Sequence, residues 1–325
     1  MHLVHQSLPE AALSEVDLAT SVAGVRLASP IIINAMTGGA PGVAGINRDL
    51  ATVAAELGLA MAVGSQTAGL REPAVAETYR VVRDVSPGGV LLANVSAGAS
   101  VDDAVRAVEM IGANLLQIHL NAPQELVMAE GDRDFRGQLE RIALLVRESS
   151  VPVVVKECGF GLSRETAREL HGVGVRAVDV SGRGGTNFAW IEAQRRAETD
   201  LDPGLEAWGI PTACALLEVT ALALPGLDVM ASGGITYGSE AAKAVAVGAR
   251  AVGVAGAVLR QHAAGGITAV RQYLTTLCGD LNRAALLAGG PTVRTLRRRP
   301  VVVTGVTGEW CRARGVDLES LARRA

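Results

Sequence analysis

The sequence predicts an α/β protein built as one (β/α)8 barrel of parallel strands, a single domain over residues 1–325, and three observations predict it. Short runs rich in Val, Ile and Leu recur eight times along the chain. Longer segments of helical periodicity separate most of them. The apolar runs are near-continuous rather than alternating, as strands covered by helices require. Eight such units suit a closed barrel better than an open doubly wound sheet.

The elements follow in order. After an N-terminal lead over 1–30, the first expected strand is Ile31–Ala35, a triple isoleucine running into a glycine-rich turn. Leu59–Ser65, Val90–Ser96 and Leu115–Leu120 come next, then Val151–Glu157, Ala177–Gly182, Leu227–Gly233 and Ala249–Ala255. Between them, "REPAVAETYRVVRDV", "VDDAVRAVEMIGA", "FRGQLERIALLVRESS" and "GSEAAKAVAVGA" have the spacing of amphipathic helices. Three of the helix ends share a Gly between apolar residues (Ile111–Ala113, Val173–Val175, Val247–Ala249), which predicts glycine C-caps feeding the next strand. A barrel takes ~250 residues. The surplus lies in the lead, in an insert over Thr186–Gly209, and in a tail beyond Cys278 expected to form a helical extension over 279–325.

Composition narrows the function classes. Hydrophobic residues are 49% but aromatics only 3%, so the expected core is Ala, Val, Leu and Ile packed around 38 glycines. A net charge of -3 gives no electrostatic reason for nucleic acid or an anionic membrane as partner. The one basic run, Arg297–Arg299, reads as a solvated segment. Four widely spaced cysteines without a C-x-x-C pair argue against a zinc site or disulfide framework and suit a reducing cytoplasm. "MHLVHQSLPE" has no signal-peptide pattern. The longest charge-free stretch, Leu27–Asn47, is broken by Pro30, Asn34, Thr37 and Pro41, so no membrane span is expected. A soluble cytoplasmic protein is the expectation.

In this fold the C-terminal strand ends make the active site. Here they deliver Asn34, Thr37 and two glycines, then Ser65 and Gln66, then Asn94. "LLQIHLNAPQE" brings His119, Asn121, Gln124 and Glu125, "VVVKECG" brings Lys156, and "DVSGRGGTN" brings Ser181 and Thr186. The last two strands end in Gly233-Gly234 and Ala255-Gly256, where barrels of this kind hold phosphate on backbone N–H groups. Lys156 after three valines needs an anionic partner. A phosphate on the glycines, amides and hydroxyls around a ring, and a cation beside it together describe a flavin mononucleotide, whose anionic reduced form a lysine would stabilise.

"INAMTGG", "VGSQ", "LQIHLNAPQE", "EGDRDF", "VVVKECGFGLS", "DVSGRGGTNF" and "ASGGI" resemble the type 2 isopentenyl-diphosphate isomerases over nearly the whole chain and in the same order. The resemblance implies an FMN-dependent (β/α)8 barrel that interconverts isopentenyl and dimethylallyl diphosphate, with NADPH as reductant of a redox-neutral reaction. It implies FMN contacts at Ala35, Met36, Thr37, Ser65, Asn94, Lys156, Ser181, Thr186, Gly233, Gly234, Ile235, Ala255 and Gly256. It implies substrate contacts at Ser65, Gln66, His119, Asn121 and Gln124, and a Mg²⁺ ligand at Glu125. Gln124, Glu125, His119 and Lys156 are then the expected catalytic group. His119 and Asn121 would donate to phosphate oxygens, and Gln124 would lie near the hydrocarbon. A homotetramer or larger homo-oligomer is expected from the same resemblance. Family members carry an N-terminal Arg-Lys segment that closes over the diphosphate. This chain begins after the place of that segment, and Arg26 is the only Arg or Lys before Leu27: either the start is assigned too late or the cations are lacking, and in the second case weakened diphosphate affinity is the expectation. Three other readings share the strand ends. One is an FMN oxidoreductase of the hydroxy-acid oxidase type using Arg183, another a Schiff-base lyase using Lys156. The third is a flavin-binding homologue without turnover.

Overall fold

The computed structural model describes residues 1–195 and 202–324. Eight parallel strands close into a barrel: β1 (Ile31–Ile33), β2 (Ala60–Ala62), β3 (Leu91–Ser96), β4 (Leu115–Leu120), β5 (Val153–Glu157), β6 (Ala177–Asp179), β7 (Asp228–Ala231) and β8 (Ala251–Val254). Each lies inside the stretch the sequence predicts. β4 matches its stretch end to end, and the others are shorter, several because the polar and glycine residues at the expected ends have already left the sheet. Closure comes from Val252, Gly253 and Val254 pairing with Ile31, Ile32 and Ile33.

Helices α1 (Val43–Leu57), α2 (Glu77–Val85) and α3 (Val101–Ile111) cover the first strands. α3 shows how the sequence sets such a helix. Ser100 accepts from the Asp103 amide at its start, and Ala104, Ala107, Val108 and Ile111 form its buried stripe. Gly112 ends it at φ 55, and Gly174 and Gly248 also take positive φ, so the three expected glycine stops are present. Further on come α4 (Ala122–Val127), α5 (Gln138–Glu148), α6 (Arg164–Gly172), α7 (Phe188–Arg195), α8 (Thr212–Thr220) and α9 (Gly238–Val247). The expected helix "REPAVAETYRVVRDV" is split: a 3-10 turn at Pro73–Val75 precedes α2. α10 runs from Gly256 to Leu287 with a kink at Gly265–Gly266, so the tail has no break at residue 279.

Two apolar layers result. Between strands and helices lies the larger core. Inside the barrel, Ile32, Ala60, Ala62, Leu92, Leu115, Val154, Ala177, Met230 and Ala251 fill the lower half. A hairpin in the lead, Thr20–Val22 against Val25–Leu27, adds Val22 and Leu27 beneath them. His2–Leu3 pairs with Val301–Val302, tying lead to tail. Side chains two residues on from this apolar layer are polar: Asn34, Asn94, Gln117, Lys156, Asp179 and Ser232, all buried. The barrel is thus greasy below and hydrogen-bonded above. Among the described residues no helix is long and apolar enough to cross a membrane.

Candidate active site

Asp179 anchors the polar layer. Its carboxylate is fully buried and accepts from Asn34 Nδ2 at 2.8 Å, Ser232 Oγ at 2.8 and 2.9 Å, and the Ser181 amide at 3.1 Å. Gln117 Nε2 donates to Asn34 Oδ1 at 3.1 Å. Gly253 leaves the room this needs, since a Cβ there would sit 2.4 Å from Asn34 Nδ2. Lys156, on the strand beside Asp179, donates to the Glu157 carbonyl at 2.7 Å and to Ser181 Oγ at 3.3 Å. Burial opposes its charge, yet Cys158, Asp179 and Glu157 more than reverse that and hold it above the ordinary lysine range. Burial pushes the Glu157 carboxyl up to about 7, against the Phe160 and Gly161 amides and Lys156.

Above this layer opens a cavity of about 330 Å³. Ten of the expected flavin contacts line it: Ala35, Met36, Lys156, Ser181, Thr186, Gly233, Gly234, Ile235, Ala255 and Gly256. Its glycine wall is interlocked. A Cβ on Gly233 (φ +101) would meet Gly182 O at 2.1 Å, and one on Gly234 (φ +77) would meet Gly184 O at 2.1 Å. Thr212 Oγ1 braces the turn by donating to Gly233 O at 2.6 Å. α10 starts at Gly256, where first-turn amides have no carbonyl partner within the helix and the dipole is positive. Arg260, one turn on, lines the same end. This donor set fits a phosphate, and the closely packed glycine backbone leaves room for a flat ring over Lys156.

Three expected flavin contacts turn their side chains to other work. Thr37 Oγ1 donates to Asn47 Oδ1 on α1 at 2.7 Å. Ser65 Oγ lies 3.1 Å from Thr67 Oγ1. Asn94 Nδ2 donates to Val63 O at 3.2 Å, which turns Oδ1 toward His119. Gln66 departs furthest. It is fully buried, donates to Ala107 O of α3 at 2.9 Å and accepts the Asn94 amide at 2.9 Å, so its amide braces the barrel wall instead of facing the mouth.

The end of β4 places the remaining polar group. His119 Nδ1 is 2.9 Å from Asn94 Oδ1, which can only accept, so this nitrogen carries the hydrogen and Nε2 the lone pair. Burial, then Lys156, lowers the ring's pKa to about 4. In this tautomer Nε2 would donate to a phosphate oxygen once it has taken up a proton. Asn121, Gln124 and Glu125 share one face of the turn into α4 by i, i+3, i+4 spacing. Asn121 Nδ2 donates to Glu125 Oε1 at 2.8 Å, and Glu125 Oε2 accepts the Asp132 amide at 2.9 Å. Arg133 fastens this loop to the carbonyls of Glu125, Met128 and Gly131. Gln124 Nε2 donates to Glu192 Oε1 at 3.0 Å. Glu192 is buried on α7 and takes Arg195 on its other oxygen at 2.7 Å. Among the described residues no three His, Cys, Asp or Glu side chains form a metal cage, and Glu125 offers a single carboxylate at this strand end. That suits Mg²⁺ completed by substrate phosphate and water.

Asp179, Glu192 and Arg260 are the side chains the sequence reading missed. Asp179 had a signal, a carboxylate inside the apolar run "AVDV". The other two sit on helices with nothing local to mark them. Arg183, which a hydroxy-acid oxidase reading needs at the flavin, is exposed and does not line the cavity, and its backbone pairs with Ile210.

The family model for FMN-dependent dehydrogenases matches residues 84–303. An isopentenyl-diphosphate delta-isomerase from Symbiobacterium thermophilum is 66% identical over 325 residues, covering 100% of this chain and 90% of that protein. One from Moorella thermoacetica is 49% identical, covering 97% of this chain and 90% of that protein. A solved mandelate oxidase variant with (S)-mandelic acid superposes with a TM-score of 0.67 at 22% identity, covering 94% and 87% of the two chains, a likeness of fold.

Proposed function

Since the chain belongs to the FMN-dependent, type 2 isopentenyl-diphosphate delta-isomerases, we propose that it interconverts isopentenyl and dimethylallyl diphosphate in the barrel mouth, with FMN in the glycine-walled cavity and Mg²⁺ on Glu125. The observation that carries the reading is one juxtaposition. A glycine-walled cavity lined by Lys156 adjoins a strand end bearing His119, Asn121, Gln124 and Glu125, next door in register on β4 and β5.

Bound FMN, reduced by NADPH or another donor, would supply the acid and base that move the allylic proton. The chain's residues do the rest. Gly233, Gly234 and Gly256 hold the phosphate on backbone amides, with Arg260 beside them. Lys156, kept charged by Asp179 and Glu157, favours the anionic ring. Asn121 and a protonated His119 would grip the diphosphate, and Glu125 would hold a Mg²⁺ ion that offsets its charge. Gln124, pinned by buried Glu192, stands where the hydrocarbon would lie. The four free cysteines fit a cytoplasmic setting, and assembly into a homo-oligomer belongs to the same reading.

The test is direct. The full chain with reduced FMN, Mg²⁺ and isopentenyl diphosphate is expected to yield dimethylallyl diphosphate without net consumption of reductant. A flavin-loaded protein that forms none, yet is bleached steadily by a 2-hydroxy acid, would overturn the proposal.

A further inference from the structure

The opposite end of the barrel holds a second cavity that this reaction leaves unused. Asp228 opens β7 and Arg250 directly precedes β8, so both lie at the N-terminal ends of the strands whose other ends deliver Gly233 and Ala255. Five residues of strand put the two ends about 15 Å apart. Arg250 joins Arg26 from the lead hairpin and Arg294, Arg297 and Arg298 from the tail around a cavity of about 630 Å³.

The charges there do not balance. Among the described residues one carboxylate meets the set: Asp228 accepts from Arg250 Nε at 2.9 Å, and its other oxygen is taken by the Ala23 amide at 2.9 Å. Arg297 Nη2 donates only to the Gly248 carbonyl, at 2.7 Å. Arg26, Arg294 and Arg298 are exposed, and among the described residues their side chains have no ion pair or hydrogen bond. Five guanidiniums less one carboxylate leave four positive charges that no pH removes. The crowding registers at Arg297, whose proton affinity is lowered first by burial and then by Arg250 and Arg324, against the pull of Asp228. A separate mark is Thr20 on the same wall, whose hydroxyl oxygen is buried with no partner. Buried hydroxyls are normally satisfied.

We infer that this cavity binds an oligophosphate, an anion of two or more linked phosphates. A guanidinium fork donates two parallel N–H bonds to two phosphate oxygens, and only a multiply charged anion answers four positive charges. A carboxylate ligand would leave most of them uncompensated. Nucleic acid would need an extended basic face, and this chain offers one compact cluster on a net charge of -3. Inorganic oligophosphate and the tail of a nucleotide share this chemistry.

The experiment is calorimetric titration of inorganic triphosphate into the FMN-loaded full chain, with adenosine triphosphate and adenosine monophosphate in parallel. Triphosphate is expected to bind, and R294E/R298E is expected to weaken it about tenfold or more while isomerisation is unchanged. Tighter adenosine triphosphate than triphosphate assigns the site to nucleotides, and equal affinity assigns it to the oligophosphate alone. His119→Ala, at the far end, should leave this binding intact. Triphosphate affinity equal in R294E/R298E and parent, or lost only in His119→Ala, would overturn the inference. So would a change of assembly mass in R294E/R298E with triphosphate affinity intact, which would make the cluster a contact between copies. If the double reversal does not fold, R26Q/R298Q is read by the same titration.

Discussion

His119→Gln isolates a proton that the fold withholds. The ring donates through Nδ1 to Asn94 and is buried, and its pKa is lowered from 6.5 to about 4, by burial first and Lys156 second. Between these values the unfolded chain binds a proton that the folded chain refuses. Stability is therefore intact above the upper value and falls as pH drops through the window. The gap corresponds to about 3 kcal/mol in all, of which about 2 kcal/mol appears between about pH 7.5 and about pH 5. Glutamine retains an N–H for Asn94 and does not titrate. Urea denaturation of both proteins over that range should show the parent losing about 2 kcal/mol more than the variant. Parallel profiles would refute a neutral, desolvated ring. The same pair reports on substrate. Because Nε2 donates only once protonated, at a cost of about 4 kcal/mol at pH 7, isopentenyl diphosphate should draw more protons into the parent than into His119→Gln. Calorimetry in buffers of different ionisation enthalpy measures that difference, and equal uptake would remove His119 from the diphosphate site.

Lys156→Met leaves Asp179 and Glu157 buried without their cation. It should cost about 3 kcal/mol and strip flavin on gel filtration, and an unchanged melting temperature with full flavin absorbance would contradict the assignment. Glu125→Gln should raise the Mg²⁺ concentration for half-maximal isomerisation about tenfold, read from a metal titration of turnover. Gly234→Ala drives a Cβ to 2.1 Å from Gly184 O, whereas Gly226→Ala, also at positive φ, meets nothing nearer than 4.0 Å. Both pay backbone strain of about 1–2 kcal/mol, but only the first should weaken FMN binding, about tenfold or more by flavin fluorescence quenching.

Much of this was legible in the residues. The eight apolar runs and their glycine stops define the barrel because a parallel sheet buried on both faces leaves a signature that needs no partner to read. The polar strand ends were legible for the same reason. Side-chain direction was not. Gln66 and Asn94 both follow short apolar runs, yet one braces α3 and the other holds His119. Nothing local distinguishes them, because strand twist and the next helix decide which way each turns. Glu192 was hidden more deeply. It belongs to an insert whose helix reaches Gln124 only once α4 and α7 pack together.

The flavin cavity takes one wall from residues just past β1 and another from residues just past β8, and these become neighbours only when Val254 registers with Ile33. A chain that stops before Ala251 therefore lacks the strand that closes the barrel, and with it one wall of this pocket. Yellow colour becomes a certificate of completion. Until the last stave of the barrel is set, the two walls that flank the cofactor cavity are far apart in the chain and share no contact through this register.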